Sequence, residues 1–366
     1  MINFLQNHNQ DNNKGKFSLP FFICLILVFL FWGLVNYSYS LTNKDFIIYQ
    51  NESLEEIADR LEEEKIINFK PVFILTLRIL GQDKNIYPGY YSFPDKISLS
   101  EIINTITTPS NQRNILLVIK EGETLKEVEE NLKDAGFIIN RNFLDYQIKD
   151  FLDIDCLNNL TDDNNLSLEG FIFPDSYYLS LGTEEEELLK IFLKNFCQKT
   201  KQNEELMKKI DDFQKNFSVF YPQEIRKEEK KDYSPSFYDI LKMASILEKE
   251  VKDNQEKRMV ADLLWRRLLS EMPLQVDCTI CYGLFFNFKD CDLNPEDFLI
   301  PSPYNTYLLK GLPSTPVSNP GLHSIEAAIS PIRNDYWFYL TDRESGKTIF
   351  SVDYDNHLEA RDKYIK

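Results

Sequence analysis

Histidine is almost absent from this 366-residue chain, which holds only three, His8, His323 and His357. That scarcity weighs against Ser-His-Asp and Cys-His nucleophilic catalysis, both of which need an imidazole base. Positive charge is also short: 41 Lys and Arg face 58 Asp and Glu, a net charge of -17. No basic footprint is available to offset phosphates, so nucleic acid is excluded as a partner. Broad adsorption to anionic lipid heads is disfavoured for the same reason. No Gly-x-x-x-x-Gly-Lys loop occurs, which removes the common phosphate cradle. The six cysteines are sparse. Cys24 lies in an apolar run, Cys156 and Cys197 stand alone, and Cys278-Thr-Ile-Cys281 with Cys291 makes an incomplete zinc pattern. A disulfide is open to two of them in an oxidising compartment, but unpaired packing thiols are the simpler expectation. Neither a metal nor a cofactor is expected.

Long hydrophobic runs are scarce too; the conspicuous one is residues 17–35, uncharged and ending near Trp32. Its length suits a bilayer core, with Pro20 in the first turn, where proline is tolerated. Lys14 and Lys16 precede it and no basic residue follows before Lys44. The positive-inside rule then predicts a cytoplasmic tail (1–16), a transmembrane helix (17–36) and an extracytoplasmic remainder. The competing signal peptide would carry a shorter apolar region and a small-x-small cleavage site. The remaining length and a 43% hydrophobic composition allow about two domains with a sizeable core.

Beyond residue 40 the chain repeats itself. Asn51-Glu-Ser-Leu-Glu-Glu-Ile57 with Leu61 matches Gly122-Glu-Thr-Leu-Lys-Glu-Val128 with Leu132, each after a short apolar strand. Ser53 with Glu56, and Thr124 with Glu127, have capping-box spacing, and the leucines recur at helical intervals. Residues 184–232 read as amphipathic helices opened by an acidic run that suits a helix N-terminus. Strands are predicted over 336–340 and 348–352. The fold class is therefore α+β, with helices framing a cleft beside a sheet.

Two segments carry chemistry. Residues 302–321 string Pro, Gly, Asn and Tyr together without periodicity, and loops of that length are usually functional. Tyr304, Asn305, Thr306 and Tyr307 offer flat apolar faces beside hydrogen-bonding groups, a combination that suits a sugar ring; a purely structural loop remains the alternative. Upstream, Ser234-Pro235 reads as the start of a helix containing Ala244-Ser-Ile-Leu-Glu-Lys-Glu250. At about 100° per residue, Phe237, Leu241, Ala244 and Val251 share a stripe with Glu248. Lys242, Ser245 and Lys249 fall on a more polar side, and Glu250 lies with Asp239, Met243 and Ile246. Glu248 is thus the carboxylate expected to point into apolar surroundings, where its proton would be held more tightly.

These segments, together with Leu168-Glu-Gly-Phe-Ile-Phe-Pro-Asp-Ser-Tyr-Tyr178, Met272-Pro-Leu-Gln-Val-Asp277, Thr279 and Tyr282-Gly283, resemble the MltG/YceG-like endolytic murein transglycosylases in content and order. The resemblance runs from about residue 40 to the C-terminus. Cys278 and Thr348 depart from the residues usual there. The resemblance implies a small LysM-like strand-helix module over 41–110 and a mixed α/β catalytic domain over 111–366. It further implies a lyase that cuts the MurNAc-GlcNAc bond of nascent peptidoglycan strands and leaves 1,6-anhydro-MurNAc ends, limiting strand length. Glu248 is the expected catalytic acid and base. Glu169, Gln275, Asp277, Thr279, Tyr282, Tyr304, Asn305, Thr306, Tyr307 and Asn319 are the expected glycan-binding set. A single-pass inner-membrane protein beside the penicillin-binding polymerases is the implied setting. Two other readings stay open: a hydrolytic muramidase with Asp277 or Glu169 as base, and a non-catalytic glycan-binding scaffold.

Overall fold

A computed structural model describes residues 19–41, 45–109, 114–158, 165–342 and 345–364. They fall into two compact units that divide between Arg113 and Asn114.

The first unit opens with helix α1 (Leu19–Asn36). Among the described residues no helix is long and apolar enough to cross a membrane. The expected transmembrane helix, the membrane attachment and the single-pass inner-membrane placement are therefore overturned. The expected tail 1–16 lies outside the described residues. Strand β1 (Ser38–Ser40) pairs antiparallel with β4 (Lys96–Ser98), and β2 (Asp45–Ile48) pairs antiparallel with β3 (Gly89–Ser92). Between β2 and β3 run α2 (Leu54–Glu63) and α3 (Lys70–Leu80), and α4 (Leu99–Ile106) follows β4. Phe46, Ile57, Leu61, Phe73, Leu77, Tyr91 and Ile103 make the core of this unit. The Ser53–Glu56 box caps α2, and a second box, Ser98–Glu101, caps α4.

The second unit begins with β5 (Asn114–Val118) and α5 (Leu125–Asp134), whose N-terminus carries the Thr124–Glu127 box. Strand β6 (Ser176–Ser180) pairs antiparallel with β5, Leu117 opposite Tyr177. Helices α6 (Glu185–Lys199) and α7 (Glu204–Phe220) follow; each sends an apolar stripe inward and a charged face outward. Helix α8 (Phe237–Glu250) is capped by Ser236, not Ser234. The Ser236 hydroxyl accepts from the Asp239 amide and the Asp239 carboxylate accepts from the Ser236 amide. That reciprocal pair satisfies two orphan donors at once, which leaves Pro235 outside the helix. Helix α9 (Asn254–Leu269) turns back after Asp253, and α10 (Asp277–Phe285) and α11 (Leu322–Ile329) complete the set around them. A hairpin of β7 (Phe338–Thr341) and β8 (Thr348–Ser351) and helix α12 (Tyr354–Tyr364) end the chain.

Helix α8 is buried nearly all round, Ser245 included, and α11 packs on both α8 and α9. The polar side predicted for α8 is covered instead by the 315–321 segment: the Ser245 hydroxyl accepts from the Val317 amide at 3.0 Å, and the Ser318 hydroxyl donates to the Ser245 carbonyl at 3.1 Å. Two disulfides correct the expectation of unpaired thiols: Cys156–Cys197 ties the 155–157 turn to α6, and Cys281–Cys291 ties α10 to the segment after it. Cys156 and Cys197, isolated in sequence, are brought together by packing, which spacing does not report. Cys278 is free and buried.

Candidate active site

Glu248 sits in the last turn of α8, where the helix dipole is unfavourable to a carboxylate. Two groups offset this. Lys257, in the first turns of α9, places Nζ 2.7 Å from Glu248 Oε1, and the Gly321 amide at the start of α11 donates to Oε2 at 2.8 Å. The side chains of the pair are 5% and 7% exposed, and Lys257 Nζ also donates to Ser324 Oγ at 2.7 Å. Glu248 thus faces an ammonium and an amide rather than the apolar surroundings predicted from its stripe. Helical period names the face a residue lies on but not what the fold brings against it.

The β5–α5 turn closes over this carboxylate. Gly122 has φ +79°, and a Cβ there would stand 3.2 Å from Lys249 Cδ and 3.4 Å from Glu248 Cγ. Its amide donates to the Asn319 carbonyl at 2.9 Å and the Asn319 amide donates to the Glu123 carbonyl at 2.9 Å. Lys249 Nζ reaches the Gly122 carbonyl at 3.1 Å and lies over the Phe288 ring.

Glu169, Tyr282 and Asn319 form one buried knot behind the turn. Glu169 is wholly buried; its oxygens accept from the Leu125 amide (3.0 and 3.1 Å), the Tyr282 hydroxyl (3.0 Å) and Asn319 Nδ2 (3.3 Å). Burial pushes its pKa up to about 8, against the pull of those donors. Asn319 Oδ1 accepts from the amides of Gly170 (3.0 Å) and Ile172 (2.9 Å), while Nδ2 donates to the Glu123 carbonyl (2.9 Å). Gly170 has φ +87°, and a Cβ there would stand 2.6 Å from Pro316. The glycine of the Leu-Glu-Gly-Phe motif therefore lets two loops touch.

A third cluster surrounds Glu250. Tyr339 donates to Glu250 Oε2 at 3.1 Å and Tyr307 to Asp277 Oδ1 at 2.6 Å. Burial, then the neighbouring Asp277 charge, raises Glu250 to about 7 despite hydrogen bonds from Cys278 and Tyr339. Gln275 adopts φ +57° and accepts from Arg267 Nη1 at 3.2 Å.

The expected glycan-binding residues divide by exposure. Gln275 and Asp277 are exposed, Tyr304 and Tyr307 are half-buried, and Glu169, Thr279, Tyr282, Asn305, Thr306 and Asn319 are buried. Thr279 and Thr306 share a 2.9 Å hydroxyl contact, and Thr306 Oγ1 accepts from the Val276 amide at 3.0 Å. Asn305 Nδ2 donates to the carbonyls of Phe298 (3.0 Å) and Ile300 (2.8 Å). Tyr304 contacts Tyr282 edge-on at 5.1 Å and bonds Thr315. Sequence reading missed Lys257; its position in the first turns of the helix after Glu248 was the available signal.

Among the described residues no cluster of His, Cys, Asp and Glu could hold a metal ion. Around Glu248 the fold places an ammonium on one carboxylate oxygen and the amide of a helix N-terminus on the other.

The YceG-like family matches residues 46–363, and this chain belongs to it, a family of endolytic murein transglycosylases. The chain is 27% identical over 338 residues to the endolytic murein transglycosylase of Bacillus subtilis (strain 168), covering 89% of this chain and 86% of that one. It is 24% identical over 333 residues to the endolytic murein transglycosylase of Streptococcus pneumoniae R6, covering 85% of this chain but 56% of that longer one. A solved yceG-like protein of Listeria monocytogenes superposes with a TM-score of 0.50 at 25% identity, covering 89% of this chain and 99% of that one. Family membership supports enzymatic activity of the murein transglycosylase kind.

Proposed function

We propose that this chain cleaves the MurNAc-GlcNAc bond within peptidoglycan strands and leaves a 1,6-anhydro-MurNAc end, with Glu248 as the single acid and base. The observation that carries this reading is the Glu248 carboxyl itself, buried yet fixed through both oxygens by Lys257 and Gly321. In the first step the protonated Glu248 gives its proton to the bridging oxygen as the anomeric C–O bond breaks. The Lys257 ammonium stands where it neutralises the charge then left on Glu248. In the second step that carboxylate takes the proton of the muramic acid 6-hydroxyl, whose oxygen attacks its own anomeric carbon. Closure is intramolecular, so no water is activated and the proximity advantage is built into the substrate.

Gln275, Asp277, Tyr304 and Tyr307 are the members of the expected binding set with surface to offer a glycan. Glu169, Thr279, Tyr282, Asn305, Thr306 and Asn319 serve it indirectly, by holding the loops that bear the exposed ones. Incubation of the purified chain with uncrosslinked glycan strands, followed by mass spectrometry of the new ends, tests the reading. Anhydro ends that vanish in Glu248→Gln and persist in Glu250→Gln are expected. Hydrated reducing ends, or anhydro ends made by Glu248→Gln, would refute it.

A further inference from the structure

A second carboxylate stands beside Glu248 and belongs to none of the motifs discussed above. Glu121 lies in the β5–α5 turn and is exposed. Its backbone position is set by the exchange of amide bonds between Gly122 and Glu123 on one side and Asn319 on the other. That pairing lays the Glu121 side chain across Gly321. A Cβ built at Gly321 would overlap the Glu121 carboxyl group and stand 2.8 Å from its Cγ. Gly321 has φ -77°, a conformation open to any residue, so glycine is needed there for room and not for backbone freedom.

The same Gly321 donates its amide to Glu248 Oε2 at 2.8 Å. Two carboxyl groups therefore flank one residue. With bond lengths of about 1.5 Å, the Glu121 carboxyl lies no farther than about 8 Å from Glu248 Oε2. That bound does not exceed the separations, up to about 9.5 Å, at which two carboxyls act on one glycosidic bond. Their settings differ. Glu248 is neutralised by Lys257, whereas among the described residues no cation or hydrogen-bond donor engages the Glu121 carboxylate. Its negative charge, beside Gly321, is uncompensated.

Resting on the reading of Glu248 proposed above, we infer that Glu121 is the second carboxylate of the site, aimed at the positive charge that develops on the anomeric carbon while Glu248 handles the proton. It forms no bond and moves no proton. A negative charge placed where positive charge appears only in the transition state lowers the barrier without tightening ground-state binding. Gly321 is kept small so that this carboxylate can approach.

Two measurements on the full chain test this. In the end-forming assay, Glu121→Gln should lower kcat by about a hundredfold with KM nearly unchanged and thermal stability retained. Gly321→Ala, which pushes the carboxylate aside, should move kcat the same way. Calorimetry supplies a readout independent of cleavage, with a protonated N-acetylglucosamine-type iminosugar as the cationic probe and an uncharged N-acetylglucosamine tetramer as its control. Glu121→Gln should weaken the cation at least tenfold and leave the neutral sugar alone. Wild-type kcat in Glu121→Gln, equal weakening of both probes, or no preference of the wild-type chain for the cation would overturn the role of Glu121. Should the wild-type chain form reducing ends while Glu121→Gln loses both rate and cation binding, the anhydro reading fails and the second carboxylate stands.

Discussion

Replacing Asn319 with alanine should destabilise the second unit by about 3–5 kcal/mol. The side chain is wholly buried and makes four hydrogen bonds: it accepts from the Gly170 and Ile172 amides and donates to the Glu123 carbonyl and to Glu169 Oε1. Alanine strands two buried amides, each costing about 1–3 kcal/mol when left unpaired, and removes one donor from a buried carboxyl. Entry of a water would recover part of that, which places the sum in the middle of the range. Such a loss is a large share of the 5–15 kcal/mol typical of a domain. Urea unfolding followed by tryptophan fluorescence suits the question, because Trp265 is buried inside this unit. Asn319→Asp sharpens it. Aspartate keeps the acceptor for both amides but sets a second carboxyl against Glu169, whose own pKa is already raised to about 8. That pair is repulsive when both are ionised and can share a proton when one is not. The Asp variant should therefore approach wild-type stability as pH falls from 8 to 5 and lose ground as it rises. An alanine variant within about 1 kcal/mol of wild type, or an Asp variant indifferent to pH, would refute the account of this knot.

Lys257→Met should cost about 3–5 kcal/mol, because it leaves the Glu248 carboxylate buried without its cation; a thermal melt of the variant checks this. A companion Lys257→Met/Glu248→Leu double variant should recover most of the loss. Glu250 has its pKa raised to about 7 by burial beside Asp277, so the native state holds a proton there that the unfolded chain releases near pH 4.5. Stability owed to that proton is complete below pH 4.5 and drains as pH rises through 7. Glu250→Gln should flatten the melting temperature over that window, and an unchanged slope would count against the assignment. Reduction of Cys156–Cys197 and Cys281–Cys291, which close loops of 41 and 10 residues, should remove about 4 and 3 kcal/mol as upper values. Differential scanning calorimetry with and without reductant measures the sum, with serine variants separating the two bonds.

Much of the local structure was legible in the sequence. Both repeats carry their capping boxes and the following helices, because hydroxyl and carboxylate three residues apart solve a problem that lies within one turn. The acidic opening of α6 and the strands of the last hairpin follow from equally local rules. Family membership was legible for another reason: ordered motifs, from Leu168-Glu-Gly-Phe to the tyrosine loop, identify a lineage without any knowledge of contacts. What each polar residue faces was decided elsewhere. Asn305, Thr306, Thr279 and Asn319 look in sequence like ligands for a sugar, yet packing turns them into the ties of their own loops. An amide serves a glycan or a backbone equally well, and only the tertiary structure selects between them. Glu248 meets its cation on the next helix and its amide donor 73 residues away, and the Cys156–Cys197 disulfide closes between cysteines that spacing left apart. The apolar run at the N-terminus suggested a span, yet among the described residues no helix is long and apolar enough to supply one. Local stereochemistry is written residue by residue, whereas burial and partnership belong to surfaces that exist only once the chain has closed on itself.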